Sequence, residues 1–240
     1  SKYGLHVNSN RPVTFDIGSD SGKLSFEAES EEVEYSIIAG DTLTEILEIF
    51  SQLGGRTPAL SYTTAGISLA LDDDYTLTAQ GIIDALRAAK NSGVAVNEIW
   101  LGNSWHPDYA PYGFTWDTVR FADPIGFART ASDLGVSIGI SINPFISERA
   151  PEYSDLLDAG YFISSPDGNA VLCDADKGGV ALLDLNVPDA RSWFINACSN
   201  LARDGFSVFE SNFTNSLSET FEKASGRKGC LANYTSMLNS

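Results

Sequence analysis

The spacing of apolar positions changes near residue 40. Up to about residue 38 they fall in short or alternating runs, Leu5-His6-Val7, Val13-Thr14-Phe15, Lys23-Leu24-Ser25-Phe26 and Val33-Glu34-Tyr35-Ser36-Ile37. Polar turns, Asn8-Ser9-Asn10 and Gly18-Ser19-Asp20-Ser21-Gly22, separate them, which predicts four short strands. Such strands bury little alone, so they are expected to complete a larger β-sandwich or to lean on the segment that follows. Leu43, Ile46, Leu47, Phe50 and Leu53 then recur at helical spacing. Thr42 stands at the N-cap, Glu45 completes a capping box, and Gly54-Gly55 provides the stop.

From residue 65 onward, strand and helix patterns alternate. Ala65 to Leu71, Glu98 to Gly102, Val136 to Ile142 and Phe206 to Phe213 read as strands. Between them, Thr78 to Ser92 reads as a helix closed by Gly93. A second helix opens at Asp123-Pro124 with Phe127, Ala131 and Leu134 inward and ends at Gly135. A third opens at Pro188, carries Trp193, Phe194, Ala197 and Leu201, and ends at Gly205. The stretch between the third strand and Pro188 reads as a long loop with hairpin chemistry at Asp167-Gly168. Repeated alternation of this kind means parallel strands joined by crossovers, in an open sheet or a barrel. An open nucleotide-binding sheet wants a glycine-rich phosphate turn after its first strand, and the sequence has none. The strands are followed instead by polar and aromatic groups, Asp72-Asp73-Asp74-Tyr75, Asn103-Ser104-Trp105-His106, Asn143-Pro144-Phe145 and Asn212-Phe213-Thr214. Sugars, with apolar ring faces edged by hydroxyls, suit a barrel mouth of that composition.

Composition narrows the choice of partner. Apolar residues make up 43% and aromatics 11% of the 240 positions, ample for a packed core. A formal charge of −17 argues against a nucleic-acid backbone or an anionic membrane surface. Cys173, Cys198 and Cys230 are too scattered to form a disulfide framework or a metal cluster, and two histidines, His6 and His106, exclude a histidine-rich metal site. Both histidines are expected in ordinary loop or strand-edge positions. No cofactor is implied. No apolar run reaches the roughly 18 residues of a membrane span and no signal-peptide core is present, so a soluble chain is expected, with its compartment open.

Seven motifs, in order, carry a more specific resemblance. They are Ile38-Ala39-Gly40-Asp41-Thr42-Leu43-Thr44-Glu45-Ile46-Leu47, Phe50-Ser51-Gln52-Leu53-Gly54-Gly55-Arg56, Phe114-Thr115-Trp116-Asp117, Phe121-Ala122-Asp123-Pro124, Ile142-Asn143-Pro144-Phe145-Ile146, Gly160-Tyr161 and Asp184-Leu185-Asn186-Val187-Pro188. Together they resemble the first half of the catalytic region of glycoside hydrolase family 31, and within it the α-xylosidase and α-glucosidase branches. The resemblance implies an α/β fold, part of a (β/α)8 TIM-type barrel of about four βα units preceded by edge strands of a β-sandwich. Residues 1–38 would be the sandwich strands, 39–61 the connecting helix and 62–240 the first half of the barrel. The expected partner is an α-linked oligosaccharide or glycoside, with the remainder of the barrel or a second copy of the chain as protein partner.

The same resemblance implies a retaining mechanism, in which a carboxylate at the end of the fourth strand attacks the anomeric carbon and a second carboxylic acid protonates the leaving oxygen. Here Phe209-Glu210-Ser211-Asn212-Phe213-Thr214-Asn215 stands where the family's nucleophile motif would lie, so Asn212 occupies the nucleophile position. By the same correspondence Asn103 replaces a sugar-binding aspartate, Ser68 and Ser141 replace tryptophans, and Glu210 replaces a lysine. Trp105, directly after the second strand, is a candidate for stacking on a sugar ring. The sequence therefore predicts glycosidase ancestry with an altered nucleophile and the acid/base segment missing. The alternative is a non-catalytic carbohydrate-binding or assembly protein on the same scaffold.

Overall fold

The computed structural model describes residues 2–9, 12–19, 22–29, 32–56, 59, 66–71, 74–175 and 177–211, together with 221 and 225. They fall into two compact units that divide between residues 59 and 60.

In the first unit the four expected strands are present, as two separate antiparallel pairs. Lys2–Asn8 (β1) pairs with Glu34–Gly40 (β4), and Val13–Ile17 (β2) pairs with Leu24–Ala28 (β3). The following helix, Leu43–Gly54 (α1), starts as its sequence dictates: the Thr42 hydroxyl accepts from the Glu45 N–H at 3.1 Å, and the Glu45 carboxylate accepts from the Asp41 N–H at 2.9 Å. Ile46 is its one buried side chain, seated over Gly4 of β1 and Gly40 of β4. A Cβ at either glycine would lie 2.9 Å from Ile46, so the close approach of this helix requires both to lack a side chain.

The second unit is built on a four-stranded parallel sheet. Its strands are Ile67–Ala70 (β5), Val96–Trp100 (β6), Ser137–Ser141 (β7) and, last in sequence, Val208–Glu210 (β11), in the spatial order β11-β7-β6-β5. Helices Ala79–Asn91 (α2), Pro124–Asp133 (α3) and Pro188–Arg203 (α5) separate them. The cap residues act as expected: Thr78 accepts from the Gly81 N–H at 3.1 Å and Asp123 from the Gly126 N–H at 2.9 Å. Past the ends of α2 and α3, Gly93 and Gly135 take φ of 78° and 83°, a left-handed turn that other residues adopt only with strain.

Two expectations need correction. The stretch between β7 and α5 is not a long loop. It contains Phe145–Ser147 (β8), the short helix Tyr153–Asp158 (α4), Leu172–Ala175 (β9) and Gly178–Leu182 (β10), and the three strands form an antiparallel sheet in the order β8-β10-β9. The second parallel strand also begins two residues earlier than its apolar pattern suggests, because Val96 already pairs with Ile67 while the chain leaves the sheet at Gly102, where φ is 54°.

One face of the parallel sheet is the core. Ile99, Ile138 and Ile140, each at most 1% exposed, pack with Ile82, Ile83 and Leu86 of α2 and with Phe127, Ala128 and Ala131 of α3. Burying an isoleucine of this kind contributes about 1.5–3 kcal/mol relative to leaving it in water, so this layer is the main anchor of the sheet. Among the described residues no helix is long and apolar enough to cross a membrane.

Candidate functional site

Because successive strand residues point to opposite faces, the residues alternating with the buried isoleucines define the inner face. The register lines them up in layers. Ser68, Glu98 and Ser137 form one; Ala70, Trp100, Gly139 and Val208 form the next; Ser141 and Glu210 lie nearest the C-terminal ends of the strands. The interior of a complete parallel barrel is normally filled by layers of branched apolar side chains. Here the layers are mostly small or polar, and Ser68 donates to the Glu98 carboxylate at 2.9 Å.

The C-terminal rim brings together some of the sequence-predicted residues. Ser141 and Glu210 are register partners, and the ladder continues one step further, with the Ile142 N–H donating to the Glu210 carbonyl at 2.7 Å. Asn103, half-buried, sits on the turn after β6, where its carbonyl accepts from the His106 N–H at 3.1 Å. Asn143 is buried just beyond β7. Asn212 lies outside the described residues, two positions past the end of β11 in sequence.

Trp105 does not lie on this rim. It is fully buried in the same apolar cluster as the sheet isoleucines, with the rings of His106 and Trp116 at centroid distances of 3.6 and 4.8 Å and its indole N–H donating to the Ser141 carbonyl at 3.0 Å. With its faces covered it has no surface on which a sugar could stack, so Trp105 is a packing residue that holds the loop after β6 against the end of β7.

His106 is likewise not a surface loop residue. It is 3% exposed, and Nδ1 faces the Thr115 carbonyl at 3.3 Å, which requires the proton on Nδ1 in the neutral ring. Burial pushes its pKa down to about 3, helped by the nearby Arg120 charge and only partly opposed by the Thr115 contact. Arg120 ties the whole loop together. Its guanidinium donates to the Asp117 carboxylate at 2.7 Å, to the Ser104 and His106 carbonyls at 2.6 and 2.8 Å, and to the Leu77 carbonyl at 3.3 Å. Burial alone would raise Asp117, but the bond from Arg120 and two backbone N–H bonds outweigh it and hold the carboxyl below its ordinary value. Further along, Glu152 accepts from the Phe114 N–H and from the Thr115 hydroxyl at 2.8 Å, fixing the other end of the loop. Sequence reasoning passed over Arg120 because three of its four partners are carbonyls, which leave no mark in a sequence.

Other groups are less suited to chemistry. The Cys173 and Cys198 thiols are free, and burial pushes both up to about 11, away from the reactive thiolate. An open cleft of about 450 Å³ lies between the N-terminal halves of α2 and α3, on the helix side of the sheet. Its polar groups, Thr78, Asp123 and Arg120, are already engaged in caps and carbonyl bonds. No group of three or more metal-ligating side chains occurs among the described residues.

A polar rim at the C-terminal ends of parallel strands fits the arrangement that the motif series led one to expect, without the stacking tryptophan. The profile described as "Glycosyl hydrolases family 31 TIM-barrel domain" matches residues 57–235. The chain belongs to glycoside hydrolase family 31. "Alpha-xylosidase XylQ" of Lactiplantibacillus pentosus is 23% identical over 212 residues, which cover 88% of this chain and 28% of that protein. An α-xylosidase of Emericella nidulans is 26% identical over 215 residues, covering 88% and 27%. The family 31 dextranase of Flavobacterium johnsoniae, solved with glucose, superposes with a TM-score of 0.76 at 20% identity over 91% of this chain and 28% of that one, a likeness of fold. The chain therefore spans less than a third of the length of these relatives. Its parallel strands β5, β6, β7 and β11 are family 31 barrel strands, and the excursion of β8, α4, β9 and β10 is inserted between the third and the fourth.

Proposed function

We propose that the chain carries one side of a family 31 site for an α-xyloside or α-glucoside, in which an amide stands in place of the nucleophilic carboxylate. The observation that carries this reading is the register of β11. With Glu210 beside Ser141 at the end of the sheet, the strand that runs into Asn212 takes the fourth place among the parallel strands, and residues just past such strand ends serve the mouth of a barrel. A neutral amide can donate to and accept from sugar hydroxyls, but it lacks the charge and nucleophilicity needed to form a glycosyl ester. The neighbouring replacements support a site specialised for binding, since Ser68, Ser141 and Glu210 line the inner face where the family resemblance expects two tryptophans and a lysine.

The test is to titrate the chain with xylose, glucose and their α-linked disaccharides by calorimetry, and to assay it against p-nitrophenyl α-xyloside and α-glucoside. Binding at millimolar sugar without turnover is expected. Turnover at ordinary glycosidase rates with Asn212 in place would overturn the altered-nucleophile reading. Absence of any binding heat would overturn the binding site itself.

A further inference from the structure

We propose that Trp100 is the sugar-stacking platform of this site, and that the sugar it receives is a neutral pyranoside. The inference rests on the binding reading above and deepens it. A Cβ built on Gly139 would fall 2.0 Å from Cε3 and 2.3 Å from Cζ3 of Trp100, so the indole lies against the backbone of β7 in the space where any other residue would project its side chain. Its register partner on the other side is Ala70 of β5. Small residues on both neighbouring strands let one ring spread across the inner face.

The four tryptophans are not equivalent. Trp105 is enclosed by His106 and Trp116; Trp116 packs on Phe121 and Phe206; Trp193 meets the edge of Phe114. Trp100 is half-buried, and although its carbonyl accepts from the Leu71 N–H at 2.7 Å, its indole has no aromatic neighbour or hydrogen-bond partner among the described residues. It is the tryptophan whose ring belongs to the inner face, one layer beneath Ser141 and Glu210. A pyranose laid on that ring would place its C–H face on the indole and its hydroxyls toward the Ser141 hydroxyl and the Glu210 carboxylate, the division of polarity that an amphipathic ring requires.

Charge restricts the sugar further. Glu98 lies one layer below Trp100 and Glu210 one layer above, and no Lys, Arg or His shares this face among the described residues. Two carboxylates flanking the platform repel a sugar that carries its own carboxylate or sulfonate, and leave a neutral pyranoside unaffected.

The experiment titrates the chain with methyl α-xyloside, methyl α-glucoside and glucuronate, following heat and tryptophan emission, for the wild type, Trp100→Ala, Trp100→Phe and Gly139→Ala. Circular dichroism melts establish which variants fold. The wild type is expected to bind the neutral glycosides with a change in emission, and Trp100→Ala to lose about tenfold in affinity. Trp100→Phe, which keeps a ring, is expected to retain most of the binding and none of the emission change. Gly139→Ala, which pushes the indole off β7, should weaken binding with Trp100 still present. Binding by the wild type and equally by Trp100→Ala would overturn the platform and leave the proposed site standing. Should Trp100→Ala fail to fold, an emission change that persists in Trp100→Phe would overturn it as well. No binding by the wild type would overturn both. Glucuronate binding as tightly as the neutral sugars would overturn the charge argument.

Discussion

His106 offers a direct check on the packing beneath the rim. Its ring is held neutral in the fold, with a pKa near 3 against 6.5 for an unperturbed histidine. In the unfolded chain the ring takes up a proton as soon as the pH drops below 6.5, whereas in the folded chain it does not until about 3. The unfolded state therefore binds more protons throughout that window, and stability falls as pH falls. The contribution is fully present above 6.5, and lowering the pH from 7 to 5 removes about 2 kcal/mol of it, at about 1.4 kcal/mol per pH unit once below 6.5. The comparison variant is His106→Asn, whose amide can still donate to the Thr115 carbonyl but does not titrate. Urea unfolding followed by tryptophan emission at pH 7, 6 and 5 gives the assay. The variant is expected to be less stable at pH 7, having lost the ring that lies on Trp105. Between pH 7 and 5 it should then lose about 2 kcal/mol less than the wild type. Titrating carboxylates act on both proteins alike, so the difference isolates the histidine. Parallel pH profiles would refute the reasoning, since they would mean that His106 is not buried in its neutral form.

Three further expectations follow from the same geometry. Arg120→Met leaves the Asp117 carboxylate and three carbonyls without their shared donor and should cost about 3–5 kcal/mol, read from the urea midpoint at pH 7. Thr78→Ala removes the hydroxyl that accepts from Gly81 and should lower stability by about 1 kcal/mol in the same assay, with helix α2 retained by circular dichroism. Glu152→Gln keeps one acceptor but loses the charge that binds Phe114 and Thr115; faster amide exchange at Phe114, measured by NMR or mass spectrometry, is the expected result.

Features encoded within a few residues were readable from sequence. Thr42, Thr78 and Asp123 cap the helices they precede because the acceptor and its donor lie three positions apart, and Gly93 and Gly135 mark the turns that follow α2 and α3. The parallel order was also legible, from alternation of strand and helix. Features that depend on which distant groups meet were not. Trp105 and Trp100 both look like strand-end aromatics, and only the packing of His106 and Trp116 around the former, with Phe121 and Phe206 behind Trp116, decides which is enclosed. A local sign did exist: in Asn97-Glu98-Ile99-Trp100, period-two alternation puts Trp100 on the face of Glu98, opposite the buried Ile99. The antiparallel excursion escaped notice because β9 and β10 are short and Gly178-Gly179 interrupts any alternation.

The insertion of that excursion also bears on how the chain folds. Strands β6 and β7 each follow their spatial neighbour, β5 and β6 respectively, by a single crossover, so their ladders can form while intervening segments are still short. β11 reaches β7 only after β8, α4, β9, β10 and α5 have been laid down, and it is then held by three paired residues. The β6–β7 ladder is as brief, so it is the longer loop that makes this the slow, late step and the first pairing to open. Amide exchange should therefore report β11 as the least protected of the four parallel strands.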